Sequence, residues 1–237
     1  MQGIGPSINE TLLDRMRSEI CTLVFPADFK LQTQMLETRY ETGLSVVREA
    51  LSVLVGEGLV VREDRKGFRV APMSLAEFDR ITELRISIER SALEHAFRTN
   101  HPNWHSEVEG ALQAMGPMLK AGDARPHGPD FDRNHRHFHF SLLNAYRSAL
   151  TLDLCSRLYD QFYRYRSLAL SSLAHLAGVG QDHATLANSV GTNDLAATRE
   201  TLTRHILDAS ATVRAAMLSQ GFFDESGDLI PIAERSK

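Results

Sequence analysis

The sequence predicts a mainly α fold in two unequal parts, with one short β-hairpin confined to the first part. Two observations predict it. Within the first ~70 residues, three short amphipathic segments precede two Val-containing runs joined by a tight turn. From residue 75 onward, apolar residues recur only at helical spacing, and the breaks between them carry turn chemistry.

The first helix is expected from about Asn9 to Leu23, where Leu12, Leu13, Met16, Ile20 and Leu23 share one face. "FPADFKL" (25–31) reads as a turn, "QTQMLETRY" (32–40) as a second helix and "ETG" (41–43) as a break. A third helix runs from about Leu44 to Glu57, and Gly58 supplies the left-handed residue that stops it. "LVVRE" (59–63) and "GFRVAP" (67–72) are paired strands, with "DRKG" as the hairpin turn. Three helices followed by a hairpin outline a winged helix-turn-helix. Pro72 ends the last strand, and Ser74 with Glu77 forms a capping box that opens a new helix. Further helices are expected at about 75–98, 103–120, 130–146, 148–174, 180–190 and 193–219. "GDARPHGPD" (122–130) and "GTND" (191–194) are loops. The expected organisation is a winged helix-turn-helix over 1–73, an all-helical bundle over 74–221 and a loose tail over 222–237.

At 237 residues and 43% apolar content, the chain can build two cores. Cys21 and Cys155 stand alone, with no CxxC pair, which fits a reducing compartment. No basic-then-apolar leader and no apolar run of ~20 residues is visible. A cytoplasmic protein without a membrane partner is therefore expected. The net charge of −4 gives no sign of nucleic-acid binding, so any basic surface must be local.

Such a surface exists around the hairpin. Arg62, Arg65, Lys66 and Arg69 put four cations into eight residues, countered by Glu63 and Asp64, and Gly67 lets a backbone approach closely. The head as a whole is not basic, with nine Lys/Arg against ten Asp/Glu over 1–72. In the third helix, "TGLSVVREAL" (42–51), Ser45 and Arg48 lie near the N-terminus, where side chains reach phosphates or base edges in a major groove. Leu51, Leu54 and Val55 point the other way. The stretch "YETGLSVVREALSVLVGEGLVVREDRKGFRVAPMS" (40–74) resembles the head of the GntR family of bacterial transcription regulators in its REAL motif, its EGLV step and its G-[FY]-x-V strand. The resemblance implies that Arg48 contacts operator DNA and that the wing tip around Gly67, with Arg65 and Lys66, enters the minor groove. Leu44, Val46 and "PA" (26–27) depart from the Arg, Pro and "PG" usual in the family.

The helical remainder is similar to the FCD ligand-binding domain of the FadR-like branch. The similar segments are "ITELRISIERSALEHAF" (81–97), "FHFSLLNA" (138–145) and "DHATLANSVGTNDLAATRETLTRHI" (182–206). Within that branch it looks nearest to the carbon-starvation regulators, through its H-x-x-FH spacing and a Tyr165–Arg166 pair.

Helix geometry puts His135 and His139 on one face, together with Asp132, and turns His137 to the other side. Two imidazoles are too few for a metal site. The resemblance implies two more ligands, His183 and His205, and places an Asp where His135 stands. If His135 does not bind, Asp132 is its substitute. An imidazole set suits a divalent transition metal, Zn²⁺ foremost, with Ni²⁺ or Fe²⁺ next, over Ca²⁺ or Mg²⁺. His95, His101, His105, His127, His137 and His175 are read as packing or surface residues.

Arg85 has two readings. It can fork onto the carboxylate of a small effector acid, as the family implies, or pair with Glu89 one turn on. Arg166 is a second candidate anchor for that effector. The expected function is a homodimeric DNA-binding regulator, a repressor controlled by a small carboxylate or hydroxy acid near the metal. The alternatives are a pure metal sensor and a metal-dependent hydrolase. The hydrolase has the His spacing of HExxH, but Arg136 stands where that motif needs its general base.

Overall fold

The computed structural model describes residues 8–120, 129–169 and 179–230, and these fall into two compact units. One comprises Met1–Phe78, Asp160–Leu168 and Met217–Lys237; the other comprises Asp79–Tyr159 and Ala169–Ala216.

The first unit opens with α1 (Ile8–Cys21), β1 (Lys30–Leu31), α2 (Thr33–Tyr40), α3 (Leu44–Gly56), β2 (Val60–Glu63) and β3 (Gly67–Val70). Helix α1 stops two residues short of the expected end, because Leu23 adopts a left-handed φ of 62°. The apolar faces of α1, α2 and α3 close on the hairpin. Met16, Ile20, Leu36, Val47, Leu51, Leu54 and Val70 are all fully buried there. Each such side chain contributes roughly 1.5–3 kcal/mol through burial. Gly58 (φ 75°) ends α3 in a Schellman motif. The Leu59 N–H donates to the Leu54 carbonyl at 3.0 Å and the Gly58 N–H to Val55 at 3.1 Å.

The sheet has order β1-β3-β2, antiparallel throughout, with Val60 opposite Val70 and Glu63 opposite Gly67. Strand β1 pairs Lys30 with Arg69 and Leu31 with Phe68. It lies inside the segment expected to be only a turn; two residues are too few to show an alternating pattern.

The chain after β3 is held from two directions. Arg164, on the part of α7 that belongs to this unit, donates through Nη2 to the Ala71 carbonyl. Ser74 Oγ accepts from the Glu77 N–H at 3.2 Å, which is half of the expected capping box. The Ser74 N–H donates to Tyr165 Oη at 3.2 Å. Residues 222–230, expected within a loose tail, are instead tied down. The Leu75 N–H donates to Gly227 at 2.9 Å, the Leu229 N–H donates to Met73 at 3.2 Å, and Ser74 bridges Asp228. Residues 231–237 lie outside the described residues, as does the greater part of the loop expected at 122–130.

The second unit is helical. It is built from α4 (Leu75–Thr99), α5 (Trp104–Lys120), α6 (Pro129–Asn144), α7 (Ala149–Ala169), α8 (Val179–Gly191) and α9 (Leu195–Ser219), with the ends of α4, α7 and α9 counted in the first unit. Leu93, Val108, Met115, Phe138, Leu142, Leu186, Leu202 and Ile206 form its core. Trp104 Nε1–H donates to the Ser141 carbonyl at 3.0 Å and ties α5 to α6. Asp194 caps α9 by accepting the Ala197 N–H at 3.0 Å, which fixes the short α8–α9 turn. Among the described residues, no helix is long and apolar enough to cross a membrane.

Candidate metal centre and nucleic-acid interface

Four histidines from three helices converge inside the second unit. Helix α6 supplies His135 and His139, α8 supplies His183 and α9 supplies His205. One ligating nitrogen from each lies within 4.8 Å of all the others. His139 Nε2 is 3.2 Å from His135 Nε2 and 3.4 Å from His183 Nε2. His139, His183 and His205 are buried and His135 is half-buried.

The helix spacing explains the α6 pair, since i and i+4 share a face. The same rule explains why His137 is exposed to solvent. Asp132, the expected substitute for His135, lies outside this four-histidine cluster. His95 stacks on Tyr146 with ring centroids 4.4 Å apart, and His101 Nε2 meets Arg147 at 2.7 Å, both packing roles. His127 and His175 lie outside the described residues.

Two neighbours that the sequence reading missed orient the rings. His205 Nδ1 is 3.5 Å from Asp182 Oδ2, which leaves Nε2 for the cluster. His135 Nδ1 is 3.1 Å from Tyr159 Oη, which leaves Nε2 there too. A carboxylate or hydroxyl behind a metal-facing imidazole fixes its tautomer and its plane. Tyr159 sits in a run of aromatic and aliphatic residues that reads as core, and Asp182 precedes a different histidine, so spacing alone could flag neither. Burial first, and then His183 beside it, hold the His205 imidazole well below its ordinary pKa against the pull of Asp182. Neutral imidazole is the form that binds a metal. The donor set therefore fits a divalent transition ion: four imidazole nitrogens converge, and two of the rings are held from behind.

Arg85 is buried and donates through Nε to Glu89 Oε1 at 2.8 Å. Its guanidinium carbon also stands 5.7 Å from the Tyr159 ring, so the path Arg85–Tyr159–His135 links it to the cluster. Arg166 belongs to the first unit, 5.7 Å over the Tyr163 ring, whereas the histidines belong to the second. Arg136 is half-buried, donates to Ser156 Oγ and lies 5.0 Å from the Tyr159 ring; it stands where the HExxH motif needs its acid.

In the first unit, α2, the turn 41–43 and α3 form the helix-turn-helix. Glu41 turns the chain with a left-handed φ of 52°, and Gly43 precedes the first turn of α3 without a side-chain cap. Val47, Ala50, Leu51 and Leu54 face inward, while Ser45 and Arg48 are exposed near the N-terminus of α3. Uncapped backbone N–H groups there add to the attraction for phosphate. On the hairpin, Arg62, Arg65, Lys66 and Gly67 are exposed. Arg69, counted with them from sequence, is instead engaged by Glu63 at 3.3 Å and by the Asp28 carbonyl. Among the described residues, Arg48, Arg62, Arg65 and Lys66 make no ion pair within the chain.

Comparison with known proteins agrees with both halves. Residues 8–70 match the gntR family of bacterial regulatory proteins, and residues 80–208 match the FCD domain. The chain belongs to the GntR family. It is 30% identical over 210 residues to the HTH-type transcriptional regulator BphR of Paraburkholderia xenovorans (strain LB400), covering 88% of this chain and 86% of that one. It is 29% identical over 206 residues to the HTH-type transcriptional repressor GlaR of Escherichia coli (strain K12), covering 85% and 94%. Among solved structures, Escherichia coli McbR/YncC has the same fold, with a TM-score of 0.76 at 16% identity over 89% of this chain and 98% of that one. A GntR regulator from Rhodococcus sp. RHA1 superposes with a TM-score of 0.71 at 16% identity, covering 89% and 99%. The chain is thus a GntR-family transcription regulator with an FCD domain, and its histidine cluster lies in that FCD domain.

Proposed function

We propose that this regulator is a cytoplasmic homodimeric repressor, released from its operator by a small carboxylate or hydroxy acid that binds beside a divalent transition metal. The observation that carries the reading is the convergence of four imidazole nitrogens within 4.8 Å in the FCD domain. His135, His139, His183 and His205 hold the ion, with Tyr159 and Asp182 keeping two of the rings in plane. When bound, the ion supplies a Lewis-acidic position for an oxygen of the acid. Zn²⁺ is the first candidate by ligand type; Ni²⁺ or Fe²⁺, which accept more than four ligands, would keep positions open for the acid.

Arg85 is the proposed anchor for the carboxylate. Its contact with Glu89 uses Nε, and a guanidinium presents further donors along its Nη edge. Arg166 is retained only as a secondary candidate, because it belongs to the first unit. Ser45 and Arg48 read the major groove, and Arg65, Lys66 and Gly67 hold the backbone at the wing. An acid that binds one arrangement of the two heads better than the other shifts the population away from the DNA-competent form.

The test is a fluorescence-anisotropy titration of the protein on DNA from its own upstream region, with metal content measured on the same sample. A panel of dicarboxylates and hydroxy acids is then added, with and without chelator. The reading requires an acid that weakens DNA binding only when metal is present. A metal-free protein that responds fully to an acid would remove the ion from the mechanism. Release on metal addition alone would make the ion itself the signal.

A further inference from the structure

Residues 71–75 join β3 to α4, and a short join of this kind is ordinarily the loosest part of a chain. Here every residue of it except Pro72 is bonded through its backbone. The Ala71 N–H donates to the Leu59 carbonyl at 2.9 Å, and the Ala71 carbonyl accepts from Arg164 Nη2. Pro72 has a ring-fixed φ and no donor to satisfy. The Met73 carbonyl accepts from the Leu229 N–H at 3.2 Å. The Ser74 N–H donates to Tyr165 Oη at 3.2 Å, and the Leu75 N–H donates to the Gly227 carbonyl at 2.9 Å.

Two segments far away in sequence supply these partners, and both belong to the first unit. One is the end of α7. The other is the segment 222–230, which holds its own shape. Its Ile230 N–H donates to the Phe222 carbonyl at 2.9 Å, and at its tip Asp224 Oδ1 accepts from the N–H groups of Ser226 at 2.9 Å and Asp228 at 3.0 Å. Helices α7 and α9 both run on from the second unit into the first. Tyr159 is followed at once by Asp160 on α7, and α9 ends at Ser219, just before this segment. Long helices bend only gently, so both fasteners sit on stiff supports.

Arg164 is the part that packing does not explain. It is 1% exposed, and among the described residues it makes no ion pair. Nη1 donates to Gln161 Oε1 at 3.1 Å, while Nε has no hydrogen-bond partner. Burial holds its pKa below the ordinary arginine value. An apolar side chain of similar length would fill the same space without burying a charge. What the arginine adds is a fixed donor at Ala71, where the chain leaves the sheet of the head. One turn earlier, Gln161 Nε2 donates to the Glu57 carbonyl at 3.4 Å, at the end of α3. The same stretch of α7 therefore holds both the helix that carries Arg48 and the exit from the wing.

We infer that residues 71–75 are a clasped joint, closed by Arg164 and Tyr165 on one side and by Gly227 and Leu229 on the other, and that the clasp makes this regulator select operators by the spacing of their half-sites. The inference goes beyond the homodimer reading and rests on it. A protein with two heads binds half-sites at the distance its heads allow. Heads on loose joints tolerate many distances. Heads on fixed joints do not, because one base pair moves a half-site by about 3.4 Å and turns it by about 35°. Arg164 and Tyr165 are thus positioning residues, acting through the joint rather than on the DNA.

The test uses the full chain and the variants Arg164→Met, Tyr165→Phe and Leu229→Pro. Methionine fills the arginine's volume, phenylalanine keeps the ring that lies 5.0 Å from Phe78, and proline removes the Leu229 donor. Tyr165→Phe deletes a single oxygen, so the test stands even if another variant fails to fold. Hydrogen exchange should show the Ser74 and Leu75 amides protected in the wild type, with Ser74 exchanging faster in Tyr165→Phe and Leu75 in Leu229→Pro. Anisotropy titrations then use duplexes selected by the wild type from a random library, with the spacer between half-sites lengthened and shortened by one and two base pairs. The wild type should lose about tenfold or more in affinity for each base pair changed, and each variant should stay within about threefold across the series. Affinity for a single half-site should be unchanged in all three. A clasp with only a structural role would instead weaken every duplex together, the single half-site included. That result would overturn the inference, as would a wild-type spacer profile in the variants or fast wild-type exchange at Ser74 and Leu75. Sedimentation velocity on the same sample separates the two readings. A monomeric wild type would overturn the homodimer reading and this inference with it, whereas a dimer indifferent to spacing would leave that reading standing and overturn the clasp.

Discussion

His139 and His137 stand two residues apart on α6 and meet opposite surroundings, one 3% exposed within the cluster and the other in solvent. That contrast gives the sharpest residue-level prediction. His139→Ala should lose most of the bound metal and His137→Ala should keep it, as measured by elemental analysis after dialysis. Equal loss from both would contradict the assigned ligand set. Asp182→Asn keeps all four imidazoles but weakens the hold on His205, and it should lower metal affinity by about 10–100-fold in a competition titration. No change would reduce Asp182 to a surface partner of Arg204, to which it also bonds at 3.4 Å. Arg48 is exposed and makes no packing contact in the head core, so Arg48→Ala should abolish operator discrimination while leaving the melting temperature alone. Retained affinity and specificity would mean that α3 is not the reading helix.

At the level of elements, the wing and the end of α3 make separate demands. Arg65 sits at the third position of the hairpin turn with φ 60°, closed by the Lys66 N–H donating to Glu63 at 3.1 Å. Glycine would suit that backbone better, so a cation there costs local stability. Arg65→Gly should therefore be neutral or stabilising in urea melts, yet weaken binding to every DNA sequence alike, with the salt slope shallower by ~1. A base-specific change would instead make the wing a sequence reader. Gly58 has the opposite character. Its φ of 75° strains any L side chain, and a Cβ would stand 3.2 Å from Gln161 Nε2, which would have to give by a few tenths of an ångström. Gly58→Ala should destabilise the head by about 1–2 kcal/mol and loosen the step from α3 into the hairpin. Among the described elements, those legible in advance were the long ones. The helices announced themselves by period, and α4 through α9 lie close to expectation where they are described, residues 170–174 of the helix expected at 148–174 lying outside the described residues. Strand β1 was not legible, because its two residues are strand only by virtue of pairing with β3.

For the molecule as a whole, the histidine cluster joins α6, α8 and α9, and an unfolded chain cannot gather ligands from three helices. Chelation should therefore lower the melting temperature of the wild type and barely move that of His139→Ala. Equal shifts would mean the chelator acts elsewhere. The sequence by itself determined the order of elements, the i, i+4 pairing of His135 with His139, the outward turn of His137 and the exposure of Arg48. All of these follow from periodicity within a single segment. Family likeness pointed to His183 and His205, but only the tertiary structure brought them within reach of α6. The same is true of Tyr159 behind His135, Asp182 behind His205, Arg85 in its buried pair with Glu89, and Arg69 turned from the wing surface to Glu63. It also decided that residues 222–230 are held against residues 73–75 rather than loose. The physical reason is common to these cases. Local pattern dictates which face of a segment is apolar, whereas a contact between side chains distant in sequence depends on how the segments pack, which no single window of residues encodes.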